Sequence, residues 1–233
     1  MLKCCPEDAI LTGMNALETL LAPLRHSPRL VEAVGVLQHQ LEEEKARRRR
    51  FYEEMTPEQK IEFIDGDVVL HSPARNKHLD ATGNIFTLLR TYVSLHGLGT
   101  VKAEKCLCVF PRNDYEPDVV FFGAEKAASL TDETMRFPIP DLAVEVLSDS
   151  TAARDRGVKF EDYAAHGVAE YWIVDPDQNI LEQYLPGPDG DYTLRLKSSS
   201  GTVTSFAIPG FVMEIEAAFD SAKNLAALRR LMD

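Results

Sequence analysis

The segment DLAVEVLSDST, residues 141–151, places Glu145 inside a run whose neighbours Val144 and Val146 are β-branched and whose next positions, Ala143 and Leu147, are apolar as well. A strand with this pattern is covered on both faces, so the glutamate has no route to water. Leaving an ionised carboxylate there uncompensated costs several kcal/mol. The fold must therefore bring a cation, a set of hydrogen bonds or a raised pKa to Glu145.

The rest of the chain supplies the means. Its 233 residues, 45% hydrophobic and 27% charged, suffice for one packed domain plus an extension. A formal net charge of −12 weighs against a protein that coats nucleic acid, because such binding rests on Lys and Arg displacing counterions. No apolar run approaches the roughly 20 residues of a membrane span. The opening MLKCCPEDAILTG lacks a signal peptide's uninterrupted apolar stretch, so the expected address is the cytoplasm, with no membrane partner. Cys4-Cys5 and Cys106-x-Cys108 match neither a zinc knuckle nor a redox pair and read as reduced thiols.

Residues 7–50 are helical in pattern. Ile10, Met14, Leu17, Leu21 and Leu24 recur at spacings of four and three, and Leu30, Val34, Leu37 and Leu41 repeat the rhythm after Pro23 and Pro28. Two helices broken near the prolines are expected, the second ending at about Glu54. Within the run Arg47–Arg50, Arg47 and Arg48 follow Glu43 and Glu44 at i, i+4, which predicts a solvated, self-paired face. From residue 57 the pattern is mixed: IEFIDGDVVLHS reads as a helix end, a turn at Asp65-Gly66 and a strand, followed by a helix over 76–95 that stops near Gly97. Strands are predicted at 100–110, 117–123, 140–148, 170–175, 179–185 and 191–197, with one helix over 152–166 and a last one near 220–231. This is an α/β (α+β) architecture with a central mixed sheet flanked by helices. The expected division is an N-terminal helical arm (1–54), a main domain (55–219) and a C-terminal helix (220–233).

Asp118 opens the apolar run VVFF, Glu145 interrupts AVEVL, and Lys159 lies on the helix that follows. Adjacent strands would set the two carboxylates side by side, and a divalent ion commonly relieves such repulsion. Pro117-Asp118, Glu145 and Lys159 resemble the acidic pair and lysine of the PD-(D/E)XK nuclease superfamily. The blocks IEFIDGDVV, HSPARNKH, EPDVVFF, PDLAVEVLSDST, RDRGVKFEDYAAHGVAEYWIVDP and FAIPGF, in that order over roughly residues 57–215, are similar to its Uma2 branch. The lysine of the superfamily motif stands two residues after the acid, where this chain has Leu147; the branch carries it on the next helix, here as Lys159.

The resemblance implies a restriction-endonuclease-like core and a metal-dependent endonuclease acting on DNA. Asp118, Glu145 and the Val146 carbonyl would bind Mg2+ or Mn2+. Lys159 would orient or deprotonate the attacking water, and Glu62 would assist the metal or its waters. His78, Asp155 and Tyr163 would stand behind these groups. A homodimer is expected because double-strand cleavage needs two sites. From spacing alone Asp155 and Lys159 read as a surface helix pair, Asp118 as a strand-entry residue, and His78 as a cap or packing group. A module that keeps the fold but uses its N-terminal arm for assembly is the competing function.

Overall fold

The computed structural model describes residues 18–232. Cys4, Cys5, Ile10, Met14 and Leu17 lie outside that range. Helix α1 (residues 18–25) leads into α2 (Leu30–Glu54), with the break between them at residues 26–29.

Arg47 and Arg48 of α2 direct their hydrogen bonds to the domain and not along their own helix. Arg48 grips Asp114 through Nε (2.7 Å) and Nη2 (2.6 Å) and donates to the carbonyls of Phe110, Pro111 and Asn113. Arg47 donates to the Gly66 carbonyl, and Glu44 accepts two bonds from Arg112. A forked pair to a buried carboxylate outweighs an exposed i, i+4 pair worth a few tenths of a kcal/mol. The C-terminal half of α2 is thereby tied to the domain, while Val31, Val34, Leu37 and Leu41 remain exposed.

Strands β1 (Ile61–Ile64) and β2 (Asp67–Leu70) form a hairpin around Asp65 (φ 52°) and Gly66 (φ 89°). The turn falls where expected, because two positive φ values suit Asp-Gly. The segment before it is a strand, and the expected helix end is absent: Ile61–Ile64 is buried between β2 and β5 (Asp114–Tyr115). Helix α3 (Asn76–His96) stops at Gly97, which adopts the left-handed conformation, φ 62°. The single strand expected over 100–110 is divided into β3 (Gly99–Ala103) and β4 (Leu107–Val109), since Glu104 and Lys105 also take positive φ and turn the chain.

Two sheets result. Strands β1, β2, β4, β5 and β7 (Arg136–Phe137) form one, in the order β2-β1-β5-β4-β7. The other is six-stranded and mixed, in the order β11-β10-β9-β8-β6-β3, and includes β6 (Val119–Gly123), β8 (Leu142–Val146), β9 (Glu170–Asp175), β10 (Ile180–Pro186) and β11 (Tyr192–Ser198). A small pair, β12 (Thr202–Thr204) and β13 (Val212–Glu214), and helix α7 (Ser221–Met232) follow. Helix α4 (Ala124–Ala127) follows β6.

Strands β8 and β9 run parallel, so the chain between them must cross over. It does so through α5 (Ala152–Asp155) and α6 (Val158–Ala165), two short helices in place of the one expected. The break falls at Gly157, where a Cβ would lie 2.8 Å from the Ala153 carbonyl oxygen. Val144 and Val146 of β8 join a core with Ile85, Leu88, Leu89 and Trp172, whereas Ala143 joins a second with Tyr163, Tyr171 and Ile173. By strand alternation Glu145 shares the face of Ala143.

Removing one partner of a buried ion pair costs about 3 kcal/mol or more. Arg48→Ala is expected to lose that much in urea unfolding, while Arg49→Ala, at an exposed position on the same helix, stays within about 0.5 kcal/mol of wild type.

Candidate functional site

Glu145 obtains its compensation from the crossover and from the opposing sheet. Helix α6 places the Lys159 ammonium 2.9 Å from Glu145 Oε1, and Tyr163, one turn later, donates to the same oxygen at 2.8 Å. Lys159 also lies 2.8 Å from Glu62 Oε1 on β1 and 3.5 Å from Asp155 Oδ1. The Asp155–Lys159 pair is therefore no surface feature: each side chain is only 1% exposed. Asp155 carries no hydrogen bond to either oxygen among the described residues.

Asp118 stands at the entrance of β6. Antiparallel pairing sets Val119 opposite Val144, and one further step brings Asp118 opposite Glu145 on the same face. Asp118 Oδ2 accepts the Val146 amide at 2.8 Å, and Oδ1 accepts Lys60 at 2.8 Å, with His78 Nε2 3.4 Å away. His78, buried near the start of α3, thus does more than cap or pack. Glu62 accepts the Glu116 amide at 2.8 Å and pairs with His71 at 2.9 Å.

The electrostatics of this cluster are unbalanced. Burial would raise Glu62, but Lys159 and His71 outweigh it and hold the carboxyl at about 2. Burial would likewise raise Asp118, and His78 and Lys60 together hold it low. Glu145 goes the other way: burial pushes it well up, with the charges of Asp155, Asp118 and Glu62 adding to the pull against Lys159. Burial disfavours the Lys159 charge, yet Glu145, Glu62 and Asp155 keep it firmly protonated. One ammonium cannot neutralise three carboxylates, so the excess falls on Glu145 and Asp155.

Asp118, Glu145 and Lys159 all line one cavity of about 540 Å³, together with Lys60, His71, His78, Glu104 and Glu116. Among the described residues both hydrogen bonds to Glu145 fall on Oε1. Carboxylate oxygens at an open cavity with uncompensated negative charge match the preference of magnesium and manganese for oxygen donors and retained water. The residues fit such an ion.

Lys60, His71, Glu104 and Glu116 were not singled out by sequence reasoning. The period-two rule carries a signal for two of them, since Lys60 precedes Glu62 and Glu116 precedes Asp118 by two positions. Several basic residues of the domain are already engaged. Arg75 pairs with Asp149, Lys77 with Asp177 and Arg156 with Glu182, while Lys105 donates to the Pro57 carbonyl.

A profile of the Uma2 family, described as "Putative restriction endonuclease", matches residues 49–216. The chain is also similar to a solved crystal structure of "a putative nuclease belonging to DUF820" from Anabaena variabilis ATCC 29413. The two are 17% identical with a TM-score of 0.62, over 76% of this chain and 96% of that one. At this identity the likeness establishes a shared fold. No curated protein matches the chain.

Burial, reinforced by the neighbouring Glu62 charge and opposed by Lys60, pushes Glu116 from 4.5 up to about 7. A carboxyl that holds its proton more tightly when folded contributes stability that is complete below the unfolded value and lost as pH rises through the folded one. In EDTA, Glu116→Gln should therefore gain on wild type by about 2 kcal/mol between pH 5 and pH 8, read by urea unfolding. A pH-independent difference would contradict the assignment.

Proposed function

This chain belongs to the Uma2 family of restriction-endonuclease-like proteins, and on that premise we propose that it is a metal-dependent endonuclease that hydrolyses DNA phosphodiester bonds. The observation that carries the reading is the meeting of Asp118, Glu145 and Lys159 at one open cavity with more carboxylate than cation. Asp118 and Glu145, with the Val146 carbonyl, are the proposed ligands of Mg2+ or Mn2+. Such an ion, when bound, lowers the pKa of its water and offsets charge at phosphorus.

The protein's own groups do the rest. Lys159, kept protonated by its three carboxylates, is suited to orienting a water and steadying phosphate charge, and less to removing a proton. Glu62 positions Lys159 and is itself held by His71 and the Glu116 amide. Tyr163 fixes the Glu145 carboxylate, and Asp155 adds negative charge behind the lysine. With a net charge of −12 and several basic side chains already paired, non-specific affinity for DNA is weak, and substrate choice rests on a partner, a DNA structure or a small nucleotide.

The proposed catalytic unit spans residues 55–219, flanked by the arm (1–54) and the terminal helix (220–233). The buried thiols of Cys106 and Cys108 fit the reducing cytoplasm, and no helix among the described residues is long and apolar enough to cross a membrane.

Purified protein incubated with plasmid and single-stranded DNA in manganese should cut. Glu145→Gln and Lys159→Met, with unchanged circular dichroism, should each lose at least about 100-fold in rate. Cleavage retained in either variant would refute the proposed roles.

A homodimer through the arm is a companion reading, favoured by the heptad-spaced Leu30, Val34, Leu37 and Leu41, all exposed. Light scattering should give a dimer mass for wild type and a monomer mass for the Leu37→Glu, Leu41→Glu double variant. A monomeric wild type, or an unaffected variant, would contradict it.

A further inference from the structure

Glu145 is not a member of the group of metal-capable side chains that converges among the described residues. Among the described residues, one ligand atom each from His78, Glu104 and Asp118 converges so that all three lie within 4.8 Å of one another. These come from α3, from the left-handed turn after β3, and from the entrance of β6. The Glu104 amide donates to the Asp118 carbonyl at 3.2 Å, which holds the turn against the site.

That convergence already contains a cation. The Lys60 ammonium lies 2.8 Å from Asp118 Oδ1 and 3.5 Å from Glu104 Oε2, and His78 Nε2 addresses the same Asp118 oxygen from 3.4 Å. His78 is 8% exposed, and among the described residues its Nδ1 has no hydrogen-bond partner. The ring lines the cavity with its Nε2 turned toward Asp118.

We propose that His78, Glu104 and Asp118 form a second divalent-cation seat beside the Asp118–Glu145 pair, and that Lys60 fills it as an internal counter-cation until an ion enters. The proposal rests on the reading that Asp118 and Glu145 hold the first ion. An ammonium and a divalent ion cannot share one carboxylate oxygen at contact distance without strong repulsion, so entry of the ion expels the lysine. The lysine stem is flexible, and Lys60 already borders the cavity, so its ammonium swings away from Asp118 into the cavity. The imidazole makes the seat favour manganese or another transition ion over magnesium, which prefers oxygen alone.

The test is manganese titration of the full chain, followed by the EPR signal of unbound ion and by pulsed EPR of bound ion. Wild type should bind one ion and, at higher concentration, a second whose pulsed spectrum carries imidazole nitrogen coupling. His78→Ala should abolish the coupling. Lys60→Met should fill the second seat at about a tenfold or more lower manganese concentration, while Lys60→Arg, which retains a cation, should not. Glu145→Gln should remove the first ion and leave the nitrogen-coupled one.

Nitrogen coupling that is absent from wild type at saturation, or that survives His78→Ala, would overturn the second seat without recourse to any Lys60 variant. An unchanged titration in folded Lys60→Met would overturn the counter-cation role. One ion lost in Glu145→Gln, with no nitrogen coupling, would leave the nuclease reading standing and this one refuted. No manganese bound by any form would refute both.

Discussion

One buried ammonium, Lys159, joins three carboxylates from three separate elements. Glu62 comes from the five-stranded sheet, Glu145 from the six-stranded sheet and Asp155 from the first half of the crossover. The lysine is therefore the electrostatic pin between the sheets and the connection that delivers it. Charged groups this deep are tolerated only when paired, so the positions of β1, β8 and α5 are mutually dependent.

A second buried glutamate shows what a purely structural solution looks like in this protein. Glu170 is fully buried and accepts from Trp172 Nε1, Gln183 Nε2, Ser205 Oγ and the amides of Phe206 and Ala207. Neutral donors surround it completely. Glu145 instead shares one lysine with two other acids and looks into a cavity. That imbalance leaves Glu145 short of compensation beside a cavity, as expected where function and stability compete.

Much of this was legible from local pattern. The apolar run around Glu145, the helix stopped by Gly97, the Asp65-Gly66 turn and the strand over 170–175 each follow from short-range rules, and the structure places them as read. Asp118, Glu145, Lys159 and Glu62 do enter one connected cluster. What escaped was set by partners far away in the chain. Arg48 looked solvated until Asp114, 66 residues on, claimed it. Lys60 and His71 look ordinary beside IEFIDGD because the groups that bury them lie on other strands or across the hairpin. The single strand over 100–110 failed because nothing in Glu104-Lys105 announces a left-handed turn in non-glycine residues. The helix over 152–166 failed because a glycine within a helical pattern reads as tolerable, whereas Gly157 takes a non-helical backbone (φ −116°, ψ −109°) that leaves no room for a Cβ beside the Ala153 carbonyl.

The most direct test of the central claim is anomalous diffraction from crystals grown with manganese. A peak within about 2.2 Å of oxygens from both Asp118 and Glu145 is the predicted result. A cavity that stays empty at saturating manganese, with Lys159 still bound to Glu145 and Lys60 to Asp118, would contradict the account and make the cluster an internal salt-bridge network.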